Sequence, residues 1–192
     1  MLSSIAVTYS AVFAPELFVL VCGLLIVVYE WRLSTRRLLV GLGKRIGALG
    51  IGWALAFVVY QGLPQLFAST PSWILDATGS LGLGIGLLAI WGFWRTASWG
   101  TYVPEFAGVL VAVTIPHLLI TPFWDISSHV LYAVVPAGYL GLVDRRFFPL
   151  VVIALGMVAA RPLAGAHTWL ESVGGLVLGV LFVGMFFRER IA

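Results

Sequence analysis

Five stretches of this chain carry no Asp, Glu, Lys or Arg over lengths comparable to the thickness of a lipid bilayer. They lie between Arg45 and Asp76, between Asp76 and Arg95, between Glu105 and Asp125, between Asp125 and Asp144, and between Glu171 and Arg188. A fold in water cannot hide such runs, because about half of a small domain's residues face solvent. The composition agrees: 61% of residues are hydrophobic and 10% are charged, where a soluble domain carries roughly 25% charged residues. Inside a bilayer every backbone polar group must be paired within a helix or a closed barrel. The apolar runs are continuous and do not alternate in segments of ~10 residues, which selects helices over a barrel. The expected fold is all-α, a polytopic bundle of transmembrane helices.

Seven apolar cores are expected, near 12–29, 46–63, 79–94, 104–121, 129–143, 147–160 and 171–187. The sixth is the shortest and extends to Leu163 if Pro162 is tolerated near its end. No linker is long enough to divide the chain, so residues 1–192 read as one integral membrane domain. Orientation follows from the basic residues. With the N-terminus outside and the C-terminus in the cytoplasm, Arg32, Arg36, Arg37, Lys44, Arg45, Arg95, Arg145, Arg146, Arg188 and Arg190 all fall on the cytoplasmic side, where Lys and Arg concentrate. Arg161 is the exception, at the outer end of the sixth core. A lone cation on the wrong side beside apolar sequence points to function.

Several function classes drop out. Cys22 is the single cysteine, so neither a disulfide framework nor a thiolate metal site is available. The net charge of +3 is not gathered into basic patches interleaved with aromatics, so nucleic acid is not an expected partner. No basic segment precedes the first apolar run, which is expected to be retained rather than cleaved. The tryptophans, Trp124 among them, suit belts at the membrane interface and call for no cofactor.

The remaining polar residues gather on the expected outer side. His117 lies near the outer end of the fourth core. Asp125, Ser127, Ser128 and His129 precede or open the fifth, and Arg161, His167 and Glu171 lie between the sixth and seventh. All three histidines of the chain are in this set. His167 and Glu171 are four apart, so on a helix they share a face. A carboxylate on one imidazole nitrogen fixes the tautomer and leaves the other nitrogen as nucleophile or base. Gly175 and Gly179 continue that face with minimal side chains and let another helix approach closely. Arg161 offers a planar fork suited to phosphate. His117 follows Pro116 and has a simpler role open to it, pairing with a backbone carbonyl that the proline frees.

The run from Ala160 to Gly179 resembles the third signature of the type-2 phosphatidic acid phosphatase family, the membrane lipid phosphate phosphatases. That signature is Ser-Arg, five residues, His, three residues, Asp; here Ala160-Arg161 is followed by His167 and Glu171 at the same spacing, with Gly165, Gly175 and Gly179 at the family's glycine places. The second signature, Pro-Ser-Gly-His, is similar to Ile126-Ser127-Ser128-His129. Of the first signature, Lys, six residues, Arg-Pro, the stretch from Thr114 to Thr121-Pro122 keeps the proline alone. The phosphatase-like region spans roughly 104–187, and a six-helix family core leaves one of the seven spans extra.

The resemblance implies an enzyme of lipid metabolism that needs no cofactor and no metal. His167 would attack phosphorus and form a phosphohistidine, with Glu171 orienting it. Arg161, Ser127 and Ser128 would hold the phosphate oxygens, and His129 would protonate the departing lipid oxygen and then activate water. His117 is a candidate substitute for the cations absent at 114 and 121. The implied substrate is a lipid phosphate, either a polyprenyl phosphate or diphosphate or a phosphatidate-like lipid, met at the extracytoplasmic face of the cell membrane. Other classes stay open. His117, Asp125, His129, His167 and Glu171 would suit a metal-dependent membrane hydrolase. A catalytically degenerate relative would bind an anionic lipid or a partner protein. Gly165-Ala-His167 and Tyr139-Leu-Gly141 faintly resemble rhomboid proteases, without their Gly-x-Ser-Gly loop.

Overall fold

The computed structural model describes residues 2–35, 37–66 and 72–191. Those residues form helices and turns, with no strand among them. The helices are α1 (Leu2–Val12), α2 (Pro15–Leu33), α3 (Leu39–Gly62), α4 (Ser72–Ala97), α5 (Tyr102–Ile120), α6 (Ser128–Val143), α7 (Phe148–Leu163), α8 (Trp169–Phe186) and the short α9 (Arg188–Ile191). Every expected apolar core falls on one of them. Arg36, counted among the cytoplasmic basic residues, lies outside the described residues.

Among the described residues five helices are long and apolar enough to cross a membrane: α3, α4, α5, α7 with its leading turn, and α8. The pair α1–α2 passes the same test jointly but bends by 48° at its break. The bend has a local cause. Pro15 opens α2 without an N–H to give, and the residue before a proline is pushed away from helical backbone. Helix α6 is apolar but has 16 residues, short of the ~20 that cross a typical bilayer untilted. These helices expose apolar side chains, as Val177, Val180, Leu181 and Met185 do on α8. Surface of that kind needs lipid or protein against it, and the pattern is that of a multi-pass membrane protein.

The chain divides into two compact units, one of residues 1–19 and 119–192, the other of residues 20–118. In the second unit, α3 and α4 meet through glycines. A Cβ on Gly52 would run into the Ile90 side chain, and one on Gly86 into the Gly52 carbonyl. Only hydrogen fits at such a crossing. At one end of this unit Glu30, buried at 4% exposure, accepts hydrogen bonds from Trp94 Nε1 and from the Tyr102 backbone N–H, each at 2.6 Å. Arg45 donates to the Trp99 carbonyl at 2.9 Å and lies over the Trp99 ring. Arg45, read from the sequence as a mark of topology, is thus buried and in use.

In the first unit α6 is the core, with Val130 to Ala137 buried without a gap. Helices α7 and α8 pack on it. Gly175 and Gly179 of α8 do meet α6 closely, as their spacing predicts. A Cβ on Gly175 would lie 2.7 Å from the Ser127 carbonyl, one on Gly179 would lie 3.1 Å from Val134, and one on Gly138 would meet Val183 at 3.4 Å. The positions rise together along both helices, so α6 and α8 run parallel. Gly141 near the end of α6 meets Val151 near the start of α7, so α7 runs against both. Helix α1, which hydropathy alone does not announce, packs on α7, and Tyr9 Oη donates to the Ile153 carbonyl at 2.7 Å.

Candidate functional site

The parallel arrangement of α6 and α8, with α7 reversed, gathers three helix ends of the first unit: the start of α6, the end of α7 and the start of α8. Each carries polar residues singled out from the sequence. Arg161 lies in the last turn of α7. The chain leaves that helix through Gly165 at φ +74°, a backbone conformation that glycine adopts without cost. Gly165 N–H bonds to the Pro162 carbonyl at 3.0 Å and Ala166 N–H to the Arg161 carbonyl at 3.1 Å. This pair of bonds closes the helix end around its left-handed glycine and delivers His167 one turn away from Arg161.

His167 is not on α8, as the four-residue spacing to Glu171 first suggests. It precedes Thr168, which caps the helix. Thr168 Oγ1 accepts from Glu171 N–H at 3.2 Å, and Glu171 Oε2 accepts from Thr168 N–H at 2.7 Å. This reciprocal box satisfies two otherwise unpaired donors of the helix start. The same Oε2 stands 3.5 Å from His167 Nδ1, with the imidazole 3% exposed and the carboxylate 22%. At that distance the two side chains are in polar contact, short of a hydrogen bond. His167 and Glu171 are therefore neighbours, brought together by the capping box and not by a shared helical face, and the hydrogen bond that their spacing suggests is not formed.

The segment entering α6 is laid directly on the start of α8. Ser127 N–H donates to the Glu171 carbonyl at 3.1 Å, and Gly174 and Gly175 leave room for Trp124, Ile126 and the Ser127 carbonyl. Ser127 holds the N-cap position of α6 but makes no side-chain cap bond. Its hydroxyl is fully buried and has no hydrogen-bond partner. Ser128 is buried in the first turn beside it. His129 follows, with Nδ1 buried and without a partner. Arg161 and His167 are the neighbours that act electrostatically on the His129 ring. Thus Ser127, Ser128, His129, Arg161, His167 and Glu171 come together at one end of this unit, while Arg145 and Arg146 lie at its other end, between α6 and α7.

His117 belongs to the second unit. It is fully buried on α5, and its Nδ1 lies 3.0 Å from Ser80 Oγ. Thr114 bonds its hydroxyl back to the Leu110 carbonyl at 2.8 Å. Among the described residues no three His, Cys, Asp or Glu side chains converge as metal ligands, so the metal-hydrolase alternative gains no ligand set. Two contributors escaped the sequence reading. Thr168 had a legible signal, since Thr-x-x-Glu before an apolar run is a capping-box pattern. Ser172 is fully buried with an unpartnered hydroxyl, and nothing in its sequence context marks it. Compared with known proteins, the chain matches no family model, no curated protein and no solved structure.

Proposed function

We propose that this protein is a multi-pass membrane lipid phosphate phosphatase whose site faces the extracytoplasmic side. The observation that carries the reading is a pair of buried polar atoms without hydrogen-bond partners, Ser127 Oγ and His129 Nδ1, gathered with the Arg161 and His167 side chains at one end of the first unit. A buried donor or acceptor left unsatisfied costs stability, and chains retain such groups where a ligand completes them. Two imidazoles, a hydroxyl and a guanidinium together fit a phosphoryl group. The resemblance in residues 160–179 and 126–129 points to the same chemistry.

The reaction is written on these residues. Glu171 takes the Nδ1 proton of His167 as a hydrogen bond, tightening the 3.5 Å contact, and leaves Nε2 to attack phosphorus. The Nε2–P bond forms as the bond from phosphorus to the lipid oxygen breaks, and His129 gives that oxygen its proton. A water then loses a proton to His129 and attacks phosphorus, the N–P bond breaks, and inorganic phosphate leaves. Arg161 and Ser127 stabilise the charge on the equatorial oxygens. The orientation with seven spans, N-terminus outside and C-terminus in the cytoplasm follows the basic-residue bias, with the α1–α2 pair as the first span and α6 as a short fifth. Polyprenyl phosphates, their diphosphates and phosphatidate-like lipids are the candidate substrates.

A second reading has its own support. The family's two first-signature cations are absent, with threonine at 114 and at 121. Loss of one preorganised donor costs about 10²–10³ in rate, so a binding protein for anionic lipid phosphates is the alternative. Phosphate release from a panel of lipid phosphates by purified protein in detergent with EDTA, beside His167→Ala, separates the two. Release that resists EDTA and vanishes in the variant supports the phosphatase. Release that EDTA abolishes contradicts the metal-free mechanism, and no release from any member of the panel favours the binding protein.

A further inference from the structure

The first turn of α8 holds a second buried hydroxyl that the mechanism above does not use. Ser172 is fully buried, and its Oγ has no hydrogen-bond partner. It begins the buried stripe of α8, which continues through Gly175, Gly179 and Val183, and residues three and four apart lie on one helix face. The register of this stripe is fixed by its contacts. Gly175 meets the Ser127 carbonyl, Val130 and the Leu131 N–H, Gly179 meets Val134 and Val135, and Val183 meets Gly138. Because α6 and α8 run parallel, the position one turn before Gly175 is level with Ser127 and Ser128. Two fully buried hydroxyls without partners, Ser127 and Ser172, thus stand on facing helix starts at the end of the unit that holds His129 and His167.

Packing does not explain the serine. The next two positions of the stripe are glycines, and a site that needed only a small residue would be served as well by alanine, without burying an unsatisfied hydroxyl. We infer that Ser172 is a phosphate-binding residue of this site, donating its hydroxyl to the same phosphoryl group that Ser127 engages. The inference rests on the lipid phosphate reading and adds to it a ligand from α8 itself. It places one neutral donor on each side of the group, from the starts of α6 and α8, beside the guanidinium of Arg161 on α7.

The test is equilibrium binding of two probes that cannot be hydrolysed, short-chain phosphonate analogues of phosphatidate and of a polyprenyl phosphate, to the purified full-length protein in detergent, with melting temperatures, for the wild type, Ser172→Ala, Ser172→Gly and Arg161→Ala. Loss of a hydrogen bond to a charged ligand weakens binding about tenfold or more. Ser172→Ala is expected to show that weakening with a melting temperature equal to or above wild type, because an unpartnered hydroxyl has left a packed interface. Ser172→Gly repeats the binding loss without any side chain to misfit. Binding within twofold of wild type in both serine variants, while Arg161→Ala loses it, overturns the role of Ser172 and leaves the phosphate reading intact. A fall in melting temperature that accompanies the fall in binding in both variants assigns Ser172 to structure and likewise overturns the inference. Wild type that binds neither phosphonate, or binds both no better than Arg161→Ala, overturns the reading and the inference together.

Discussion

In the second unit a carboxylate is buried and used up. Both oxygens of Glu30 are taken, one by Trp94 Nε1 and one by the Tyr102 N–H at the start of α5. Arg45 leaves its Nε without a hydrogen-bond partner but bonds the Trp99 carbonyl and covers the Trp99 ring. In the first unit polar groups are buried to a similar degree, yet Ser127, His129, His167 and Ser172 each keep an atom without a hydrogen-bond partner. Burial of polar chemistry in a membrane protein is therefore not one phenomenon. Where the chain satisfies its own groups, the cluster ties helices together. Where donors and acceptors are buried and unmatched, the fold carries a cost, which on the proposed reading a ligand offsets.

The two regions should respond oppositely to mutation, and His167→Ala gives the largest contrast. Removing the proposed nucleophile should lower phosphate release by about a thousandfold or more, with the melting temperature in detergent unchanged. Loss of stability in step with activity would return His167 to a structural role. Glu30→Ala should do the reverse. It strands the Trp94 and Tyr102 donors and the Arg45 charge, at a cost of about 3 kcal/mol or more, read as a drop in melting temperature. Phosphate release per folded molecule should stay within a fewfold of wild type. A variant of Glu30 that folds normally but no longer turns over would erase the distinction between the regions.

This contrast was only partly visible in the sequence. The apolar cores all became helices, because hydropathy over a bilayer's width is a local property. The gathering of His129, Arg161, His167 and Glu171 was legible too, since the sidedness of the basic residues and the His167–Glu171 spacing place them at one end. The reason for the spacing was not. His167 sits outside α8, and the capping box brings its partner near. Glu30 gave no signal, because its partners Trp94 and Tyr102 lie 64 and 72 residues away and pair with it only through helix packing. The contact of His117 Nδ1 with Ser80 on α4 likewise gave no signal, because it comes from a residue 37 positions away. Ser172 was hidden for another reason: serine is an ordinary small residue at a helix crossing, and only burial without a partner sets it apart.

Glycines sharpen the comparison at a smaller scale. Gly175→Ala places a methyl against the Ser127 carbonyl, at 2.7 Å before relaxation, and overpacking of this kind costs about 1–3 kcal/mol. The start of α6 must shift, taking Ser127 and His129 with it, so activity should fall further than stability. Gly100→Ala in the other region strains a backbone at φ +141° and drives a methyl into the Glu30 carboxylate. A stability loss of similar size is expected there, with activity per folded molecule retained. Equal activity losses in the two variants would show that disturbance of either unit reaches the site.

The smallest effect tests the helix starts themselves. Helix α5 is capped by Glu30 from a distant helix, whereas α8 is capped by its own Thr168 and Glu171. Thr168→Ala removes the hydroxyl that accepts from Glu171 N–H but keeps the Thr168 N–H that Glu171 Oε2 receives. The cap is worth about 1 kcal/mol, which for a chain of this size is roughly 2–4 °C of melting temperature. Thr168 touches no reacting atom, so its effect on chemistry runs through the Glu171 carboxylate and its contact with His167. If that contact orients the nucleophile, kcat should fall about tenfold while KM stays near wild type, and Thr168→Ser should restore both the cap and kcat. A stability loss with kcat unchanged would confine the box to holding α8, and Glu171 would then need another means of orienting His167.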